Sequence, residues 1–126
     1  MHIIELRMNY DRKNFFGVTE SVTEYTDYFR DTDHMKTLVR KGLAFVCKEE
    51  AFTDPCFHVT FVDNNERYCY NIYASREDRE NGTVSVRVQD CYGAYSVGEW
   101  YHVSVATMRK KLYAMCKFDE EDENAA

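Results

Sequence analysis

Glycine is scarce in this chain, five residues in 126, and no glycine-rich loop precedes a helical segment. That excludes the backbone cradle by which nucleotide phosphates are commonly held. No pair of cysteines forms a CxxC, and the five cysteines (Cys47, Cys56, Cys69, Cys91 and Cys116) are odd in number. Neither a disulfide framework nor a structural zinc site fits such usage, so a reduced, cytoplasmic chain is expected. Met1–Glu5 shows no signal-peptide pattern, and no apolar run approaches membrane-spanning length. HExxH and GxSxG are both missing. The sequence therefore carries no recognised catalytic motif, and no catalytic residue, metal or cofactor is assigned from it.

A surplus of one charge is also missing from most of the chain. The formal charge is −6, but Asp119, Glu120, Glu121, Asp122 and Glu123 supply −5 of it. Residues 1–118 hold 16 basic against 17 acidic side chains. A chain without a positive field is a poor non-specific binder of nucleic acid, and one without a spread acidic surplus is no mimic of it. Residues 1–118 are expected to form a single domain, followed by a solvated acidic tail over 119–126 that the fold does not need.

What is present is aromatic: 15% of residues, ten of them tyrosine. A meander of antiparallel strands is predicted from Cys56 to Val103. Phe57, Val59 and Phe61 share one face. After the turn Asp63-Asn64-Asn65-Glu66, so do Tyr68, Tyr70, Ile72 and Ala74, opposite Cys69, Asn71 and Tyr73. A charged loop over 76–80 leads to Asn81-Gly82, then Val84, Val86 and Val88 alternate with polar residues. Gly93 and Gly98 bracket the next turn, and Trp100 to Val103 opens a further strand.

The flanks read as helix and strand. Ile4, Leu6 and Met8 point inward from a strand over 3–8, and 11–14 form a polar turn ahead of the apolar pair Phe15-Phe16. Val18, Val22, Tyr25 and Phe29 fall at helical spacing, with Ser21 and Glu24 as a capping box. Asp31–Asp33 caps a helix through Met35, Leu38 and Val39 that Gly42 ends, with a buried strand over 43–47. Ser104 caps a last helix with the stripe Val105, Met108, Leu112 and Met115, and Arg109, Lys110 and Lys111 on its polar side. The fold class is α+β, an antiparallel sheet of about five strands with two or three helices packed on one face.

Three groups are candidates for function. Residues 41–48 resemble the RNP1 motif of RNA-recognition domains, with Phe45 in place for base stacking. Leu43 and Lys48 stand where that family has aromatics, which favours a helix end and core strand instead. Cys56, His58 and His102 would suit a cysteine–histidine enzyme if the sheet brought them together. The tyrosines Tyr68, Tyr70, Tyr73, Tyr92, Tyr95 and Tyr101 form the candidate partner-binding set, since Tyr and Trp dominate interface hot spots. Alternation puts Trp100 and Tyr101 on opposite faces, with Trp100 expected in the core and Tyr95 and Tyr101 outward.

The reading that follows is a small, non-enzymatic binding protein that occludes a protein partner, with a homodimer also open. Inhibitors of host defence and immunity proteins from phages and mobile elements share this profile. Single-stranded nucleic-acid binding through sheet aromatics and a small cysteine–histidine enzyme are the alternatives.

Overall fold

The computed structural model describes residues 1–48, 53–90 and 98–118. The elements run β1 (His2–Lys13), β2 (Thr19–Thr26), α1 (Thr32–Val46), β3 (Thr53–Asp63), β4 (Glu66–Tyr73), α2 (Arg76–Asn81), β5 (Thr83–Asp90), β6 (Tyr101–Ser104) and α3 (Val105–Ala114). The six strands pair antiparallel in the order β2-β1-β3-β4-β5-β6. From β3 onward this is a plain meander, while α1 carries the chain from the outer edge at β2 back past β1. The α+β class expected from the sequence is the one observed.

Alternation decides which side the helices cover. Leu6, Phe57, Val59, Phe61, Tyr70, Ile72, Val84 and Val86 point to one face and are buried there. Met35, Val39, Leu43 and Val46 from α1, and Met108 and Leu112 from α3, join them in a single apolar cluster. On the opposite face α2 (through Asp78) reaches only Ser85 and His102 at one end, and the rest carries no helix among the described residues. The Asn64-Asn65 turn behaves as its residue types predict, with φ of 51° and 66°.

Several local expectations are overturned. Residues 18–29 hold a strand rather than a helix. β2 pairs with β1 from Leu6↔Thr26 to Lys13↔Thr19, so β1 runs straight through the polar segment expected to turn. The two residues proposed as a capping box work across strands instead. Ser21 Oγ donates to Asp11 at 2.9 Å, and Glu24 accepts from the Tyr10 hydroxyl at 3.2 Å. Four β-branched residues in Thr19–Thr26 favour that outcome, and the pairing with β1 secures it. In β1, a register shift between Ile3 and Glu5 turns Ile3 rather than Ile4 into the core.

Gly42 does not stop α1, which continues to Val46 and leaves no strand over 43–47. Met35, Val39, Gly42, Leu43 and Val46 lie on its buried stripe. Gly42 is where the Phe57 ring presses against the helix, and a Cβ there would overlap the ring. Residues 76–81 form α2 rather than a loop. Its Ser75/Asp78 capping box is complete, and Gly82 closes it in the left-handed region at φ 70°.

Alanine at position 42 gains about 1 kcal/mol in helix propensity. Overpacking against a fully buried ring costs about 1–3 kcal/mol. Gly42→Ala is therefore expected to lower stability in urea denaturation, against the propensity scale. A stabilised variant would show that α1 and Phe57 separate freely.

Candidate functional site

The β1–β2 hairpin ends in a turn that Asn14 organises. Its side-chain oxygen accepts from the backbone N–H of Phe16 at 2.9 Å and of Val18 at 3.1 Å. Its own backbone N–H donates to the Val18 carbonyl, and its carbonyl accepts from Gly17 N–H. Gly17 completes the loop at φ 78°. This scaffold holds Phe15 and Phe16 outward, 96% and 84% exposed, with ring centroids 5.6 Å apart in edge-to-face contact. Val18, Tyr25 and Tyr28 add exposed apolar surface along or just after the same hairpin. Single exposed apolar residues are ordinary, whereas two adjacent phenylalanines on an ordered tip are not.

The uncovered sheet face is a second, polar feature. Register aligns Tyr25, Arg7, His58, Asn71 and Arg87 across five strands. His58 Nδ1 lies 2.6 Å from Asn71 Oδ1, and the Asn71 amide donates to Gln89 Oε1 at 2.8 Å. With an acceptor opposite it, Nδ1 carries the ring proton. Burial pushes the His58 pKa below its usual 6.5 and Arg7 adds to this, against the pull of the Asn71 bond. A cavity of about 360 Å³ opens above, walled by Arg7, Arg67, Cys69 and Gln89 among others. Farther along, the Arg87 guanidinium sits 4.6 Å from the Trp100 ring centroid, and Tyr73 meets that indole edge-on at 4.9 Å.

Asp78, Ser85 and His102 have the composition of a hydrolytic triad but not its geometry. Ser85 Oγ donates to Asp78 Oδ2 at 2.7 Å. Ser85 Oγ and Asp78 Oδ1 both lie against the same imidazole nitrogen, His102 Nδ1, at 3.1 and 3.0 Å. A triad needs the serine on Nε2 and the carboxylate on Nδ1, with the hydroxyl open to substrate. Ser85 is buried instead. The Asp78 carboxylate also accepts from Ser75 N–H, Ser75 Oγ and Thr83 Oγ1, so the cluster ties α2 to β5 and β6. Its role is structural.

The chain matches no family model, no curated protein and no solved structure. Geometry alone therefore carries the functional reading.

That geometry separates the residues singled out from sequence. Cys56 and His58 lie on β3, whereas His102 lies on β6, three strand spacings of about 4.8 Å away. The thiol that does approach His58 is Cys69, 3.9 Å from Nδ1, the same nitrogen that Asn71 holds. No group of three or more His, Cys, Asp or Glu side chains suited to a metal occurs among the described residues. Phe45 belongs to α1 and packs on Tyr10, so residues 41–48 present no strand for base stacking.

The tyrosine set divides between the two faces. Tyr70 is 3% exposed and stacks on Phe61 beneath the helices; Tyr68 stacks on the same ring and donates to Glu66 at 2.7 Å. Tyr101 is 39% exposed on that side, its hydroxyl pKa raised by burial, with Lys111 nearby opposing the rise. Tyr73 alone joins the uncovered face, 37% exposed. Tyr92 and Tyr95 lie outside the described residues, as does the segment 119–126. Trp100 is not a core residue: at 40% exposure it lies over Arg87 on the uncovered side. Phe15 and Phe16 were the overlooked pair. Two aromatics in a polar turn are their signal in the sequence, masked by the helical spacing of Val18, Val22, Tyr25 and Phe29 immediately after them.

Burial opposes ionisation of Asp78, but donors from Ser75, Ser85, Thr83 and His102 outweigh it and hold its carboxyl well below the usual carboxylate range. A carboxyl with a depressed folded pKa adds stability above its unfolded value of about 3.9, lost as pH falls through the folded value. Asp78→Ala leaves buried hydroxyls without an acceptor and should cost about 3 kcal/mol. In Asp78→Asn the acid-sensitive share disappears, so its stability gap from wild type should narrow between about pH 5 and about pH 2. Urea midpoints measured across that range check both, and a constant gap would refute the assignment.

Proposed function

We propose that this protein is a non-enzymatic binding protein that occludes a macromolecular partner, and that the β1–β2 hairpin is its principal contact. The observation that carries this reading is the ordered presentation of Phe15 and Phe16. Exposing two phenylalanines forfeits the burial that normally stabilises a fold, roughly 1.5–3 kcal/mol for each ring. Burial in a partner recovers it. Because Asn14 and Gly17 hold the turn already, little conformational entropy is lost on docking. The partner is a protein with an apolar pocket wide enough for two rings, and the surrounding Thr, Ser and Glu of β2 form a polar rim.

The chemistry of the rest agrees with binding rather than turnover. Cys56, His58 and His102 are apart, and the Ser85–His102–Asp78 cluster has its hydroxyl sealed.

A pull-down from the native host, with mass spectrometry of captured proteins, identifies the partner; titration calorimetry then measures its affinity. Phe15→Ala and Phe16→Ala are each expected to weaken binding about thirtyfold, equivalent to about 2 kcal/mol. Their melting temperatures should match wild type, because neither ring touches the core. Wild-type affinity in both variants would end the proposal.

A second reading is favoured by the Tyr73–Trp100–Arg87 cluster on the uncovered face. Half-exposed rings beside arginines are what a single-strand binder stacks bases on. That reading requires salt-sensitive retardation of oligonucleotides in a mobility-shift assay, lost in Trp100→Ala. Absence of any shift up to about 100 µM, a ceiling well above ordinary single-strand affinities, removes it.

A further inference from the structure

We propose that the groove where the three helices meet is a binding site for a small organic anion, a phosphate or carboxylate carried on an apolar body. The site is remote in chemistry from the hairpin and does not rest on the function proposed above. Each helix contributes one arginine to the same cavity: Arg40 from α1, Arg79 from α2 and Arg109 from α3. Leu43, Val105 and Cys47 add to its walls, which enclose about 260 Å³. That is smaller than the roughly 300–1,000 Å³ of drug-sized pockets, so the ligand is small.

Charge makes the case. Three arginines line one cavity with an apolar floor, and their like charge favours an anion there. Among the described residues the only carboxylate at the cavity is Asp78, and it is buried with both oxygens already accepting from Ser75, Thr83, Ser85 and His102. It is not free to pair with the arginines. No described carboxylate forms a salt bridge with Arg40, Arg79 or Arg109, and Arg79 Nη1 alone is engaged, donating to the Ala74 carbonyl at 3.1 Å. Planar guanidinium forks match phosphate and carboxylate oxygens in pairs.

The walls exclude two other roles for the groove. Burial and the neighbouring Asp78 raise the pKa of the Cys47 thiol, against Arg79, so at neutral pH it is a neutral wall rather than a nucleophile. A bare inorganic ion would leave the Leu43 and Val105 surfaces unused. An anion with an apolar body satisfies both the rim and the floor.

Phenyl phosphate is the probe, titrated into the full-length chain and followed by ¹H–¹⁵N correlation spectra. Saturable shifts are expected at the amides of Arg79 to Thr83 and Val105 to Arg109, with inorganic phosphate binding there about tenfold more weakly for want of the apolar contact. Arg40→Gln and Arg109→Gln remove exposed charges that hold no described partner, so the fold is expected to survive, and spectral dispersion verifies it. Each should weaken phenyl phosphate about tenfold, as loss of a charged hydrogen bond does, while Lys110→Gln on the same helix changes nothing. Equal affinity for inorganic phosphate, no saturable shift at these amides, or indifference to both arginine variants would each overturn the site.

Discussion

The contact between Gly42 and the Phe57 ring sets how closely α1 approaches the sheet, and the rest of the structure follows from that approach. With no Cβ at position 42, the ring lies directly against helix backbone, and both residues are buried. Leu43, Val39 and Val46 join Val59 and Ile72 in one buried apolar cluster. α3 packs beside α1 in the same layer, and the Ile3 N–H donates to the Met115 carbonyl at 3.0 Å, tying the chain's first strand to the end of its last helix. One glycine thus lets α1 lie directly on the Phe57 ring.

A layer of α1 and α3 on one face leaves most of the other face bare, and its composition shows the consequence. Arg7, His58, Asn71, Arg87 and Gln89 take the outward positions of the central strands, where a second helical layer would have demanded aliphatic residues. Among the described residues, the buried side-chain atoms without a hydrogen-bond partner, Arg7 Nε, Asn9 Oδ1 and Arg87 Nε, all belong to this face. Hydrogen bonds between amides, an imidazole and a thiol replace apolar packing there, which makes the face specific in geometry but weak as a source of stability. The hairpin at the far edge has the reverse character. It carries apolar rings that the fold does not use.

Polar satisfaction at the opposite end of the sheet follows a different logic. Asp78 gathers five donors from the Ser75 cap of α2, from β5 and from β6, so a short helix that could not persist alone is fastened to the sheet by one carboxylate. Satisfying that carboxylate also withdraws it from the arginine groove beside it. Structure and chemistry are coupled there: the bonds that hold α2 in place also occupy the carboxylate oxygens beside the groove.

Alternation in Phe57–Phe61, Tyr68–Ile72 and Val84–Val88 was legible in the sequence because strand side chains have a period of two and the turns between them carry Asn and Gly. The last helix was legible for the same kind of reason, a serine cap followed by a 3.6-residue apolar stripe. The second strand and the full length of α1 were not. Residues 18–29 satisfy both periods, and only pairing with β1 selects the strand. Gly42 breaks helices in isolation, and only the ring of Phe57 explains its place inside one. The hairpin tip, the five-donor carboxylate and the three-arginine groove lie further from the sequence still. Each joins residues from separate elements, and local periodicity holds no information about which distant side chains the sheet order will bring together. By itself the sequence determined where most elements lie and which face of each is apolar; the tertiary structure alone decided which polar and aromatic groups meet, because that depends on strand order and helix placement.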